Sequence, residues 1–261
     1  YTKDQKTLIQ FAAGDARTTY AIPDSVTSIG KYAFYYCSAL TSVTIPDSVT
    51  SIGERAFTDC TSLVAIEVDA ANSAYCSVDG VLYTKDMTQL AQYPAGKSGT
   101  SYAIPEGVTT IGSEAFLGCN LSRIVIPSTV TSIGDGAFGY CSSLTDVYYG
   151  GSEEQWNAIW IERKNDPLLN ATIHFNCAGA LTDGGETIRW VYTGAAIITT
   201  GSISPAAPIY VATYNENGQF LGVKILTAPG NVTVTGDTAK LFWLNADSFT
   251  PRSAAAKIDL P

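Results

Sequence analysis

Six cysteines and one histidine are the residues of this 261-residue chain best equipped for chemistry, and their spacing restricts it sharply. A cysteine nucleophile needs an imidazole close enough to draw off its proton, and His174 is the one histidine in the sequence. It sits between Ile173 and Phe175 in an alternating run that reads as a strand face, so we expect a structural role for it. Serine catalysis meets the same shortage of bases, and no GxSxG elbow is present. No CxxC pair offers the usual zinc spacing, no DxDxDG run offers calcium ligands, and no glycine-rich loop cradles phosphate. No two acids converge in the pattern as a glycosidase would need. The expectation is therefore no catalytic residue, no cofactor and no metal, hence not an enzyme.

Four of the cysteines, Cys37, Cys60, Cys119 and Cys141, fall in one column of an internal repeat. IPDSVTSIGKYAFYYCSALTSV from Ile22 is followed by IPDSVTSIGERAFTDCTSLVAI from Ile45, IPEGVTTIGSEAFLGCNLSRI from Ile104 and IPSTVTSIGDGAFGYCSSLTDV from Ile126. A longer echo links Tyr1-Thr2-Lys3-Asp4 through Ile22-Pro23 to Tyr83-Thr84-Lys85-Asp86 through Ile104-Pro105. A repeat of this length signals stacked units that cannot bury their apolar side alone. Membership of a column three residues after the core phenylalanine makes the four cysteines buried thiols. A disulfide framework and a cysteine metal site are the competing readings, and sequence leaves Cys76 and Cys177 free or paired.

The elements that position this column follow from the other columns. Ile22/Ile45/Ile104/Ile126, Val26/Val49/Val108/Val130, Ile29/Ile52/Ile111/Ile133 and Phe34/Phe57/Phe116/Phe138 are core positions. Thr27, Thr50, Thr109 and Thr131 alternate with them as in a strand with one buried face. Prolines such as Pro23 stop one strand, and glycines such as Gly30 are expected to turn the chain. A second strand runs into the Ile-Pro pair, as in Leu40-Thr41-Ser42-Val43-Thr44-Ile45, with Val43 and Ile45 inward. The result is a mainly β solenoid.

The pattern IPxxVTxIGxxAFxxCxxL resembles the BspA-type leucine-rich repeat over roughly residues 1 to 175. The resemblance implies a right-handed solenoid from a family of bacterial surface proteins, typically secreted or wall-associated and implicated in binding host or microbial surfaces. It supplies no shared active site.

Within the intervening segment, Tyr75-Cys76-Ser77-Val78 and Val81-Leu82-Tyr83 flank Asp79-Gly80 as a hairpin on a type I′ turn. A second hairpin returns to Gln89-Leu90-Ala91, so the segment is expected to stack as an atypical coil. Ser152-Glu153-Glu154-Gln155 predicts a capping box, and Trp156, Ile159 and Trp160 predict a short helix that shields the end of the array; a sugar-stacking aromatic platform is the alternative. Ala171–Phe175 predicts a strand. After Cys177, Ala178 to Gly185 reads as a small-residue linker, giving a solenoid over 1–177 and a second domain over 178–261. Its short β-runs and the Asn217-Gly218 turn suggest a sandwich. YNENGQFLGVK and AKLFWLNADSFTP resemble small Ig-like β domains.

The net charge of −9 disfavours nucleic acid and anionic membrane surfaces. Most of it belongs to the array, where 18 acidic and 10 basic residues precede residue 178. No apolar run is long enough to insert in a membrane, and the chain begins at Tyr1 with no leader, which reads as a processed or partial chain. The expected function is non-enzymatic binding or adhesion at the cell surface or outside the cell, toward a protein or glycan of a host or microbial surface. An accessory region of a larger secreted enzyme is the alternative, and a purely structural stalk is a third reading. Outward positions of the second strand are Ser42, Thr44, Ala65, Glu67, Arg123, Val125, Asp146 and Tyr148. Of these, Glu67, Arg123 and Tyr148 carry charge or an aromatic anchor and are the candidate binding residues.

Overall fold

The computed structural model describes the chain except for residues 184–185, 193–195, 202, 204–206, 236–237, 245–251, 253–254 and 260–261. The end of the AKLFWLNADSFTP stretch, from residue 245 on, and Gly184 and Gly185 of the expected linker thus lie outside the described residues. The chain divides into two compact units. One comprises residues 1–122, 129–145 and 158–171, and the other 123–128, 146–157 and 172–261.

In the first unit the repeat columns become stacked coils. Thr7–Leu8, Ser28–Ile29 and Ser51–Ile52 pair in parallel and in register. Gln89–Gln92, Thr110–Ile111, Ser132–Ile133 and Trp160–Ile161 do the same. These strands are shorter than the alternation predicts, because Pro and Gly bound each one closely. Thr19–Ala21, Ser42–Ile45 and Ala65–Val68 form a second parallel ladder with Val43 and Ile45 fully buried, as expected.

The glycine column has a different reason from the one expected. Gly30, Gly53, Gly112 and Gly134 are absent from the positive-φ residues. A Cβ on Gly53 would instead stand 2.4 Å from the Lys31 backbone nitrogen, and one on Gly134 2.6 Å from that of Ser113. Glycine is there because neighbouring coils touch. The sharp turns fall on other columns, where Tyr32, Arg55 and Glu114 hold φ of 57° to 59°, a left-handed conformation that side chains adopt at some cost.

The intervening segment behaves as predicted. Tyr75–Val78 pairs antiparallel with Val81–Thr84 through Asp79 at φ 50° and Gly80 at φ 73°, the two positive values a type I′ turn needs. Val81–Thr84 then pairs with Gln89–Gln92, which carries the ladder onward.

The second unit holds the parallel strands Arg123–Ile126, Asp146–Tyr149 and Thr172–His174. The capping box forms, with the Ser152 N–H donating to Gln155 Oε1 at 2.9 Å and the Gln155 N–H to Ser152 Oγ at 3.4 Å. The helix spans only Glu153–Asn157 and buries Trp156. Trp160 is not on it: it begins a strand in the first unit and is 70% exposed, so the expectation of two tryptophans on one helix side is corrected. The residues expected as a linker are also corrected, since Ala178–Asp183 is a strand paired with Glu186–Tyr192. Two four-stranded antiparallel sheets follow. One joins those two strands to Ala196–Gly201 and Gly230–Thr233. The other orders Phe220–Leu226, Ile209–Tyr214, Thr238–Trp243 and Ala256–Asp259. Ala239, Leu241 and Trp243 alternate inward, and a hairpin turn forms as expected but is centred on Glu216-Asn217, one residue earlier than the Asn217-Gly218 pair, with Gly218 following at φ 73°.

Candidate functional site

The column cysteines owe their surroundings to the coil that precedes each one. Where Phe34 stacks on Phe57 at 5.1 Å and Phe116 on Phe138 at 4.9 Å, nearly parallel, successive coils lie in register. That brings the Cys60 thiol to 3.0 Å from the Phe34 carbonyl and the Cys141 thiol to 2.9 Å from the Phe116 carbonyl, where each donates a hydrogen bond. All six cysteines are free. Burial pushes the thiols of Cys37 and Cys141 up to about 11 and that of Cys60 to about 12, and it raises Cys119 as well. An activated nucleophile is shifted the other way. Cys37, Cys60 and Cys141 each donate to a carbonyl of the preceding coil, those of Phe11, Phe34 and Phe116.

His174 is likewise engaged. Its Nε2 lies 2.9 Å from Asp146 Oδ1, and its ring stacks on Tyr148 at 4.6 Å. The nearby Cys177 turns its thiol to the His174 and Phe175 carbonyls, not to the ring, and burial lifts it to about 12. The residues for a thiol–imidazole pair are close in sequence but not arranged as one. Among the described residues no three His, Cys, Asp or Glu side chains gather as a metal site, and no helix is long and apolar enough to cross a membrane.

The candidate binding residues divide. Glu67 is exposed on Ala65–Val68, beside exposed Thr44 on the paired strand. Arg123 is exposed on Arg123–Ile126, part of a different sheet from Glu67. Tyr148 is only 4% exposed, held between the His174 ring and the edge of Tyr192 at 5.7 Å, and its strand neighbour Val125 is buried too. The outward side of that sheet is packed in the second unit, which period-two reasoning could not anticipate. Tyr148 and Val125 are therefore covered, whereas the Glu67 and Arg123 side chains are exposed, Arg123 at the start of the strand whose outward side is otherwise packed.

Three features escaped sequence reasoning. Asn72 is fully buried, donating to the Pro46 and Val49 carbonyls and accepting from the Ala74 and Tyr75 N–H groups. Asn165 ends the ladder in which Phe11, Phe34, Tyr93 and Phe116 each donate to the next coil's alanine carbonyl, since Phe138 donates to Asn165 Oδ1 at 2.9 Å. Each asparagine stands where the repeat period breaks, and that is the signal that could have found it. Third, Arg55 forms ion pairs with Glu114 at 2.7 Å and Asp135 at 2.9 Å and donates to the Tyr32 hydroxyl. It borders a cleft of about 320 Å³ lined by Ile52, Tyr75, Gln89 and Gln92 among others.

A family model described as BspA type leucine rich repeat region matches residues 10–90 and 91–158, in six copies. The matched residues include most of the stretches expected as a longer echo and as an atypical coil. No curated protein matches the chain. Among solved structures, a leucine-rich repeat protein of Eubacterium ventriosum is 27% identical over 59% of this chain and 47% of its own, with a TM-score of 0.46. The pneumococcal vaccine antigen PcpA is 27% identical over 51% and 42%, TM-score 0.42. A leucine rich cell surface protein of Faecalibacterium prausnitzii is 26% identical over 54% and 62%, TM-score 0.34. The chain spans less than two thirds of the length of each.

Proposed function

The chain belongs to the BspA-type leucine-rich repeat family, and on that premise we propose that it is a non-enzymatic binding protein that works outside the bacterial cell or on its surface. The observation that carries this reading is the contrast along one ladder: Val43, Ile45 and Ile66 are sealed in the core while Thr44 and Glu67 between them face solvent. A repeat array makes a regular, rigid scaffold in which such outward residues vary without disturbing the fold. The engaged state of His174 and the raised thiols support binding over catalysis. PcpA and the F. prausnitzii protein are described as a vaccine antigen and a cell surface protein, which agrees with a surface location.

The partner is a protein or glycan of a host or microbial surface, and Glu67 on the first unit and Arg123 on the second are each, separately, a candidate contact. We assign residues 1–177 to the repeat array with its cap and 178–261 to an Ig-like β-sandwich that spaces or attaches it. The test is to probe the full chain against arrays of glycans and of surface proteins. Glu67→Ala with Arg123→Ala should then weaken the strongest signal at least tenfold, about 1.4 kcal/mol, with unchanged thermal unfolding. Unaltered binding would reject these positions.

A further inference from the structure

The strand Phe220–Leu226 is the edge of its sheet, paired on one side with Ile209–Tyr214 and, among the described residues, with no strand on the other. Proteins usually blunt such an edge with charge, proline or a cover. Here Phe220, Leu221, Val223 and Ile225 are 48% to 59% exposed. The one charge on the strand is drawn away, because the Lys224 ammonium donates to the Thr233 carbonyl at 2.8 Å on the neighbouring sheet. Thr213 Oγ1 donates to the Gly222 carbonyl at 3.4 Å, which aims that carbonyl at the paired strand. By alternation the backbone groups of Val223 and Ile225 face the open side.

From this we infer that Phe220–Leu226 pairs antiparallel with the same strand of a second copy of this chain, on a two-fold axis through Val223. The sequence of the strand selects both the occupant and the register. Centred on Val223, the pairing sets Val223 against itself, Leu221 against Ile225, Phe220 against Leu226 and Lys224 against Gly222. Every large apolar side chain meets another, and the lysine meets the residue with no side chain. Centred one residue later, the strand would set Lys224 against Lys224, which like-charge repulsion disfavours. Self-complementarity about a single point is what an isologous interface requires. A joint of one strand pair is small, so association is expected to be concentration-dependent.

Sedimentation equilibrium of the full chain over a roughly hundredfold concentration range tests this. The wild type should pass from monomer to dimer. Val223→Lys and Val223→Glu should each remain monomeric with wild-type thermal unfolding, and an equal mixture of the two should dimerise, because residue 223 faces its own copy. If either charge variant unfolds, Val223→Cys replaces it and should cross-link into a disulfide dimer under mild oxidation at concentrations where the wild type is monomeric. A wild type that stays monomeric throughout, dimers that persist in both charge variants, a folded mixture that does not associate, or a Val223→Cys that does not cross-link would each overturn the pairing. Binding of an unrelated extended peptide to a monomeric wild type would assign the edge to another partner instead.

Discussion

The coils of the first unit and the antiparallel sheet carrying Ile209–Tyr214 finish their hydrogen-bond ladders in opposite ways. In the coils, the last donor and acceptor groups meet buried asparagine side chains: Asn165 takes the place of a further coil beside Phe138, and Asn72 does so beside Pro46 and Val49. In the sheet, Phe220–Leu226 has, among the described residues, no strand on one side, and its exposed side chains are mostly apolar. Buried backbone groups left unpaired cost about 1 to 3 kcal/mol each, so an enclosed ladder must be capped, whereas an edge facing water need not be. The coil stack spends its outward positions on surface variation, while the sheet keeps an edge that can accept another strand.

Substitutions can break this comparison, and the largest effect belongs to the stacked core. Phe34→Ala removes a fully buried ring packed between Phe11 and Phe57, and denaturant melts should show a loss of about 3 to 5 kcal/mol. Phe220→Ala, on an exposed ring, should change stability by no more than about 0.5 kcal/mol. Equal losses would mean the two regions do not differ as described. Next comes Asn165→Ala, which leaves the Phe138 N–H without its acceptor and should cost about 2 to 3 kcal/mol; a neutral result would deny the asparagine its capping role.

A pH effect sharpens the comparison further. The thiols of Cys37, Cys60, Cys141 and Cys177 are raised by burial from 9.0 to about 11 or 12. The unfolded chain gives up these protons first, so their stabilising contribution is complete below about pH 9 and is lost as pH climbs from 9 through 12. Melts of a variant with the four replaced by alanine should decline less steeply over that window than those of the wild type. Smallest of all, Glu67→Ala and Arg123→Ala should leave stability within about 0.5 kcal/mol, whereas Tyr148→Ala, buried against His174 and Tyr192, should not.

Much of this architecture is legible in the sequence, because the repeat presents each core position several times. The phenylalanine, isoleucine and cysteine columns, the Asp79-Gly80 turn and the Ser152 capping box rest on local spacing, and all are found in the structure. Residues that act once are harder to see. Asn72 and Asn165 have no column of their own, and the Arg55–Glu114 pair joins residues from one column whose identities change from coil to coil. Tyr148 was misplaced for a related reason: alternation assigns it a side of the strand, but the Tyr192 ring that covers it is 44 residues away in sequence. Ala178–Asp183 looked like a linker because small residues carry little strand signal, and its pairing comes from the partner strand Glu186–Tyr192.

Hydrogen exchange of the full chain, read by mass spectrometry at low and high protein concentration, tests the contrast between capped coils and open edge most directly. Peptides holding the Phe34, Phe116 and Phe138 amides should exchange slowly at both concentrations, since each donates to the next coil or to Asn165. The peptide spanning residues 220–226 should exchange quickly when dilute and slow down as concentration rises. Fast exchange at Phe138, or an edge protected equally at both concentrations, would contradict the account.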